Sequence, residues 1–126
     1  KGIEIMLKDY AKSGTTTIMP TLASVPYSEL LNSIDTIKNI SITEGKANIA
    51  GIHLEGRYLS PEKRGTHDPA HLSIPSISEA EEILAHAGRM RTHFSLAPEL
   101  DGADDMIKYL ISHNATVSCT QQCNLR

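Results

Sequence analysis

Hydrophobic positions along this chain switch between a helical spacing and a strand-like alternation, and the switches mark out the elements. Residues Lys1 to Ser13 place Ile3, Leu7, Tyr10 and Ala11 on one helical face, with Ile5 and Met6 beside them and Gly14 as the C-cap. The β-branched run Thr15 to Met19 predicts a strand that Pro20-Thr21 ends. Pro26-Tyr27-Ser28-Glu29 opens a second helix, with Ser24 or Ser28 as candidate caps and Leu30, Leu31, Ile34 and Ile37 as its buried stripe. Ile40-Ser41-Ile42 fits either a continuation of that helix or an irregular connection, and Lys46 leads into an apolar strand over Asn48 to Leu54. A third helix starts at Ser76 or Ser78, loads acids into its first turn, turns Ile83, Leu84 and Ala87 inward and closes at Gly88. Arg91 to Ala97 is the next strand, ending in Pro98-Glu99. Asp101 to Asp105 starts a fourth helix with Met106, Ile107, Leu110 and Ile111 as its apolar face, and Ala115 to Cys119 forms the last strand. Thr120 to Arg126 match no element.

Strands joined through helices favour a parallel sheet with right-handed connections. Four strands cannot close a barrel, which takes about eight. The expected fold is therefore α/β, with about four parallel strands and flanking helices: a small open sheet or a partial (β/α)₈ barrel. No internal repeat is visible, and residues 1–126 read as one domain. A βα protein would normally have a strand before its first helix, so a chain that opens on a helix and closes on a strand with an unmatched tail reads as part of a larger α/β unit.

Composition narrows the partners. Of the 126 residues 40% are hydrophobic and 21% charged, and with one Phe and no Trp the core has to be aliphatic. A net charge of -3 and the lack of a basic stripe exclude a general nucleic-acid surface. The opening residues do not read as a signal peptide, and no apolar run approaches the ~20 residues needed to cross a bilayer. No membrane partner is expected, and the cytoplasm is the expected compartment. Cys119 and Cys123 read as plain buried or free thiols, because one CxxxC pair is weak evidence for a metal or disulfide.

Candidate chemistry is concentrated between Ile49 and Leu72. An apolar strand there delivers Glu55 at its C-terminal end and is followed by a long polar loop, the way parallel α/β proteins build sites. A Glu after a strand is commonly a cap or a loop carboxylate. Its company sets this one apart: His53 two residues earlier on the same side of the strand, then Arg57, Lys63, Arg64, His67, Asp68 and His71. His71, His86, His93 and His113 read as surface or core polar residues.

The motifs His53-Leu54-Glu55-Gly56, Tyr58-Leu59-Ser60-Pro61 and Lys63-Arg64-Gly65-Thr66-His67 closely resemble the N-acetylglucosamine-6-phosphate deacetylases. These are metal-dependent (β/α)₈ barrels of the amidohydrolase superfamily. Gly14-Thr15-Thr16-Thr17 with Pro20-Thr21 is similar to that family's second barrel strand. Leu96-Ala97-Pro98-Glu99 is similar to the end of its fourth, and Val117-Ser118 to the start of its fifth. The resemblance implies that Glu55 is a metal ligand, that His67 contacts substrate and that His53 is a structural or supporting residue behind the ligand. The implied cofactor is a divalent metal, Zn²⁺ or Fe²⁺, activating water against an acetamide carbonyl to give acetate and glucosamine 6-phosphate. The implied partners are an amino-sugar phosphate substrate and, for the full-length family, a second copy in a homodimer.

Two positions depart from the family pattern. Arg57 stands where the family has Pro, restoring an N–H and adding a charge. Gln121 stands where the family has a metal-binding His, and a neutral amide is a poor transition-metal ligand. No catalytic acid/base is matched, since the family's Asp lies in a later strand. The expectation is a deacetylase by family whose chain alone is inactive. The alternatives are a truncated or degenerate non-catalytic fragment and a small-molecule binding module.

Overall fold

The helical spacings become helices close to the expected bounds. In the computed structural model, which describes residues 2–120, α1 spans Gly2–Lys12, α2 Tyr27–Lys38, α3 Ile77–Ala87 and α4 Ala103–Ser112. The strands among the described residues are β1 (Thr17–Ile18), β2 (Thr21–Leu22), β3 (Asn48–Ile49), β4 (Gly51–Glu55), β5 (Arg91–Leu96) and β6 (Thr116–Cys119). At the start of α3 the Ser76 hydroxyl accepts the Glu79 amide at 3.4 Å, and Gly88, at φ 63°, ends the helix by donating to the Leu84 carbonyl. The start of α2 differs from expectation. Pro26, not Ser24 or Ser28, is its N-cap, and no side chain caps it. The Pro26 carbonyl accepts the Glu29 and Leu30 amides, and the Ser24 hydroxyl is engaged elsewhere.

All strand pairs are parallel, in the orders β1-β3 and β2-β4-β5-β6. The strand expected to stop at Pro20-Thr21 instead continues as β2. Proline has no N–H, so the ladder cannot run through it unchanged. The neighbouring bonds survive: Ala50 N–H donates to Ile18 O and His53 N–H to Pro20 O, both at 2.9 Å. Two residues on one strand thus span three on the other. This bulge moves the register from Thr17↔Asn48 to Thr21↔His53.

The two sheet faces differ completely. Ile52, Leu54, Phe94 and Leu96 enter one core with Leu30, Ile34 and Ile37 of α2, Ala80, Ile83 and Ala87 of α3, and Met106 and Leu110 of α4. The opposite face carries Thr21, His53, His93, Ser95, Thr116 and Ser118, aligned by register. Parallel strands with helices over one face make an open arc of a (β/α)₈ barrel, the polar face being the barrel's inside.

Helix α1 meets the sheet at fewer points. Leu7 is buried and its carbonyl accepts the Ala47 amide at 2.9 Å, while the Lys46 ammonium reaches Glu4 at 3.1 Å. Tyr10 and Ile111, both expected on buried faces, are 42% and 60% exposed. In α4 the i, i+4 pair Met106 and Leu110 faces the core, and Ile111 lies one position further round. Leu110→Ala should therefore cost about 2–5 kcal/mol by opening a cavity. Ile111→Ala should stay within about 0.5 kcal/mol, and urea unfolding midpoints of the two variants check the contrast.

Candidate active site

Period-two alternation places Glu55, the last residue of β4, on the same face as His53. His53 is gripped at both ring nitrogens, with Nδ1 3.0 Å from Thr21 Oγ1 and Nε2 2.7 Å from Ser95 Oγ. Ser95 Oγ lies 2.8 Å from Ser118 Oγ, which is 3.1 Å from His93 Nε2, and His93 Nδ1 is 2.8 Å from Thr116 Oγ1. One hydrogen-bonded chain therefore crosses all four strands. Burial and the neighbouring His93, whose ring centroid is 5.1 Å away, lower the His53 pKa, and Glu55 opposes them. His53 thus bridges β2 and β5 through its two ring nitrogens. From sequence His93 reads only as a surface or core polar residue, and no chemistry is assigned to Ser95 or Ser118. Their signal is the alternation His93, Ser95 and Thr116, Ser118 in strands that register with His53.

Past Glu55 the chain turns sharply. Gly56 has φ 156°, and a β-carbon there would lie 2.3 Å from the Ser24 amide nitrogen. Only glycine admits that approach. Ser24, just past β2, lies 2.8 Å from His67 Nδ1 through its hydroxyl, and within the loop Arg64 donates to the His67 carbonyl at 2.6 Å. His67 is thus brought to the C-terminal end of the sheet, where Glu55 also lies. Glu55 lines a small cleft with Leu22, Ala23, Gly56 and Ser95. Ser24, which the sequence offered only as one of two candidate helix caps, is the residue that holds His67 here. Asp68 caps the short 3₁₀ turn Pro69–His71 by accepting the Ala70 amide at 2.9 Å.

The loop is anchored to α3 by the residue that departs from the family pattern. Arg57 donates to both Glu79 oxygens at 3.0 and 2.6 Å, and the Tyr58 hydroxyl donates to the same carboxylate at 2.9 Å. Burial and the Glu79 charge push the Tyr58 phenol well above its ordinary pKa, so it stays a donor. Lys63, which sequence placed in the candidate stretch, is exposed on this loop.

No protein-family model matches the chain. A curated N-acetylglucosamine-6-phosphate deacetylase of Caenorhabditis elegans is 31% identical over 122 residues, which cover 94% of this chain and 29% of that protein. The chain is a relative of the N-acetylglucosamine-6-phosphate deacetylases. It spans about three tenths of the length of the curated relatives it matches. A solved deacetylase of this kind from Mycobacterium smegmatis superposes with a TM-score of 0.81 at 27% identity, over 92% of this chain and 30% of that one. A mutant of the same deacetylase, solved in complex with N-acetyl-D-glucosamine-6-phosphate, superposes with a TM-score of 0.81 at 26% identity, with the same coverage. The α/β arc of parallel strands with flanking helices is therefore shared with these deacetylases.

A catalytic zinc site takes three protein ligands and an open position. Among the described residues no three His, Cys, Asp or Glu side chains converge. Glu55 is one suitable donor, and both His53 nitrogens are already engaged. Gln121 and Cys123 lie outside the described residues, and Cys119 is an exposed free thiol rather than a buried one. The described residues do not by themselves fit a metal ion.

Gly56→Ala should cost about 1–3 kcal/mol through the clash with Ser24. It should also shift the His67 imidazole signal in NMR, because Ser24 has to move. Burial, the larger cause of the lowered His53 pKa, is untouched by His93→Gln. Losing the electrostatic contribution of His93 should therefore raise the His53 pKa only part of the way towards that of free histidine, read by NMR titration of the His53 imidazole.

Proposed function

We propose that this chain carries part of the active-site rim of an N-acetylglucosamine-6-phosphate deacetylase, a hydrolase that frees acetate from an amino-sugar phosphate. The observation that carries the reading is the joint placement at one sheet end of Glu55, closing β4, and His67, hydrogen-bonded to Ser24 just past β2. In this reading Glu55 would supply one carboxylate of a divalent-metal site, Zn²⁺ or Fe²⁺, whose other ligands are not among the described residues, and His67 would contact the sugar phosphate. His53 supports the rim from below through Thr21 and Ser95. Residues 1–126 act as one partial barrel domain, without the barrel's first and last strands. The reading also carries a cytoplasmic location and a homodimeric full-length assembly, and no helix among the described residues is long and apolar enough to cross a membrane.

Hydrolysing an acetamide needs an activated water and a proton donor for the leaving amine. With one matched ligand and no matched acid/base, the chain by itself is proposed to lack turnover. The second reading, a binding module without chemistry, is favoured by one feature: His67 is firmly held although no ligand group converges among the described residues.

Acetate release from N-acetylglucosamine 6-phosphate, with Zn²⁺ or Fe²⁺ added, should stay at the uncatalysed level. Turnover that Glu55→Gln abolishes would show that the site completes itself, and would sink the proposed inactivity. Calorimetry should detect binding of the sugar phosphate that His67→Ala weakens roughly tenfold, the scale of one lost hydrogen bond to a charged group. Equal binding by both proteins would remove His67 from the site.

A further inference from the structure

The loop that carries His67 leaves the end of β4 and returns towards the start of α3 through one narrow neck. The Arg57 carbonyl accepts the Ser73 amide at 2.6 Å, which closes the residues between them into a compact excursion. The Tyr58 carbonyl accepts the Ala97 amide at 2.8 Å, tying the neck to the end of β5. Side chains fix the same neck to α3. Arg57 meets Glu79 in a two-pronged ion pair, and the Tyr27 ring lies 4.6 Å from the guanidinium carbon while its hydroxyl donates to Glu82 at 2.9 Å. The Arg57 and Glu79 side chains are 14% and 23% exposed, so removing either leaves a charge largely cut off from water.

This neck adjoins the support of His67. Gly56 precedes Arg57 and lies against Ser24, whose hydroxyl is 2.8 Å from His67 Nδ1. We propose that Arg57 is the positioning residue for His67. By gripping Glu79 it holds the loop neck, and with it the Gly56–Ser24 contact from which the imidazole is hydrogen-bonded. The inference rests on the substrate-contacting reading of His67 for its functional meaning. A tether that merely steadied α3 would leave the His67 environment unchanged when cut.

The test uses the whole chain and the variants Arg57→Met, Glu79→Gln and Arg57→Lys. Each is read by trypsin cleavage after Lys63 and Arg64, by the NMR signal of the His67 imidazole and by thermal unfolding. Arg57→Met and Glu79→Gln should be cut in the loop roughly tenfold faster or more, because the local opening equilibrium controls cleavage. Both should shift the His67 signal, and Arg57→Lys, which keeps the charge but not the fork, should fall between them and the parent. If Arg57→Met does not fold, Glu79→Gln carries the test through its matched size. An unmoved His67 signal with parental loop cleavage overturns the proposal, and so does faster cleavage that only follows a lower Tm. The sugar phosphate plays no part in these readouts. Its failure to bind the parent chain would therefore sink the substrate role of His67 and leave the clamp standing.

Discussion

The pairing of β4 between β2 and β5 is the constraint on which the rest of the molecule depends. Its two-residue period sends Ile52 and Leu54 into the helical layer and His53 and Glu55 to the opposite face. A slip of one residue would exchange the faces and press a carboxylate among the aliphatic side chains of α2 and α3. The bulge beside Pro20 is what makes this pairing productive. With the β1–β3 register continued, Leu22 would stand opposite His53; with the extra residue, Thr21 does, and its hydroxyl meets the imidazole.

The two faces are held by different forces. The helical side is aliphatic surface removed from water, at about 25 cal/mol per Å². The other side has no helix over it among the described residues and is cross-linked by imidazole–hydroxyl and hydroxyl–hydroxyl bonds from β2 to β6. Such a chain is stable only when every member has a partner, since a buried polar group left alone costs more than the bond was worth. The buried Ser95 sits at its middle, bonded to a partner on either side.

Above the sheet, order is kept at a few tight points. Gly56 admits Ser24, the Ser73 amide closes the loop onto Arg57, and Glu79 receives the guanidinium fork. A polar loop with few apolar anchors would otherwise sample many conformations at little cost. Placing its neck on a strand end and a helix start gives His67 the rigidity of those elements.

Helices, strands and their order were legible because each is written in a local period: Leu30, Ile34 and Ile37 along one helix, Ile52 and Leu54 along one strand. Glu55 and His67 were legible as a motif, since the residues that mark them are close in sequence. Pro20 was misread because a breaker rule is local, whereas a neighbouring strand can absorb a missing donor by bulging. Tyr10 and Ile111 were misread because an apolar stripe does not say how much of its width a neighbour will cover. Ser24 and Arg57 were opaque for a related reason, as their partners lie 43 and 22 residues away. The sequence by itself determined the order of helices and parallel strands and the carboxylate at a strand's C-terminal end, because alternation and helical spacing are properties of short segments. Only the tertiary structure decided which hydroxyl holds which imidazole and what grips the loop, because those contacts exist only once distant segments share a register.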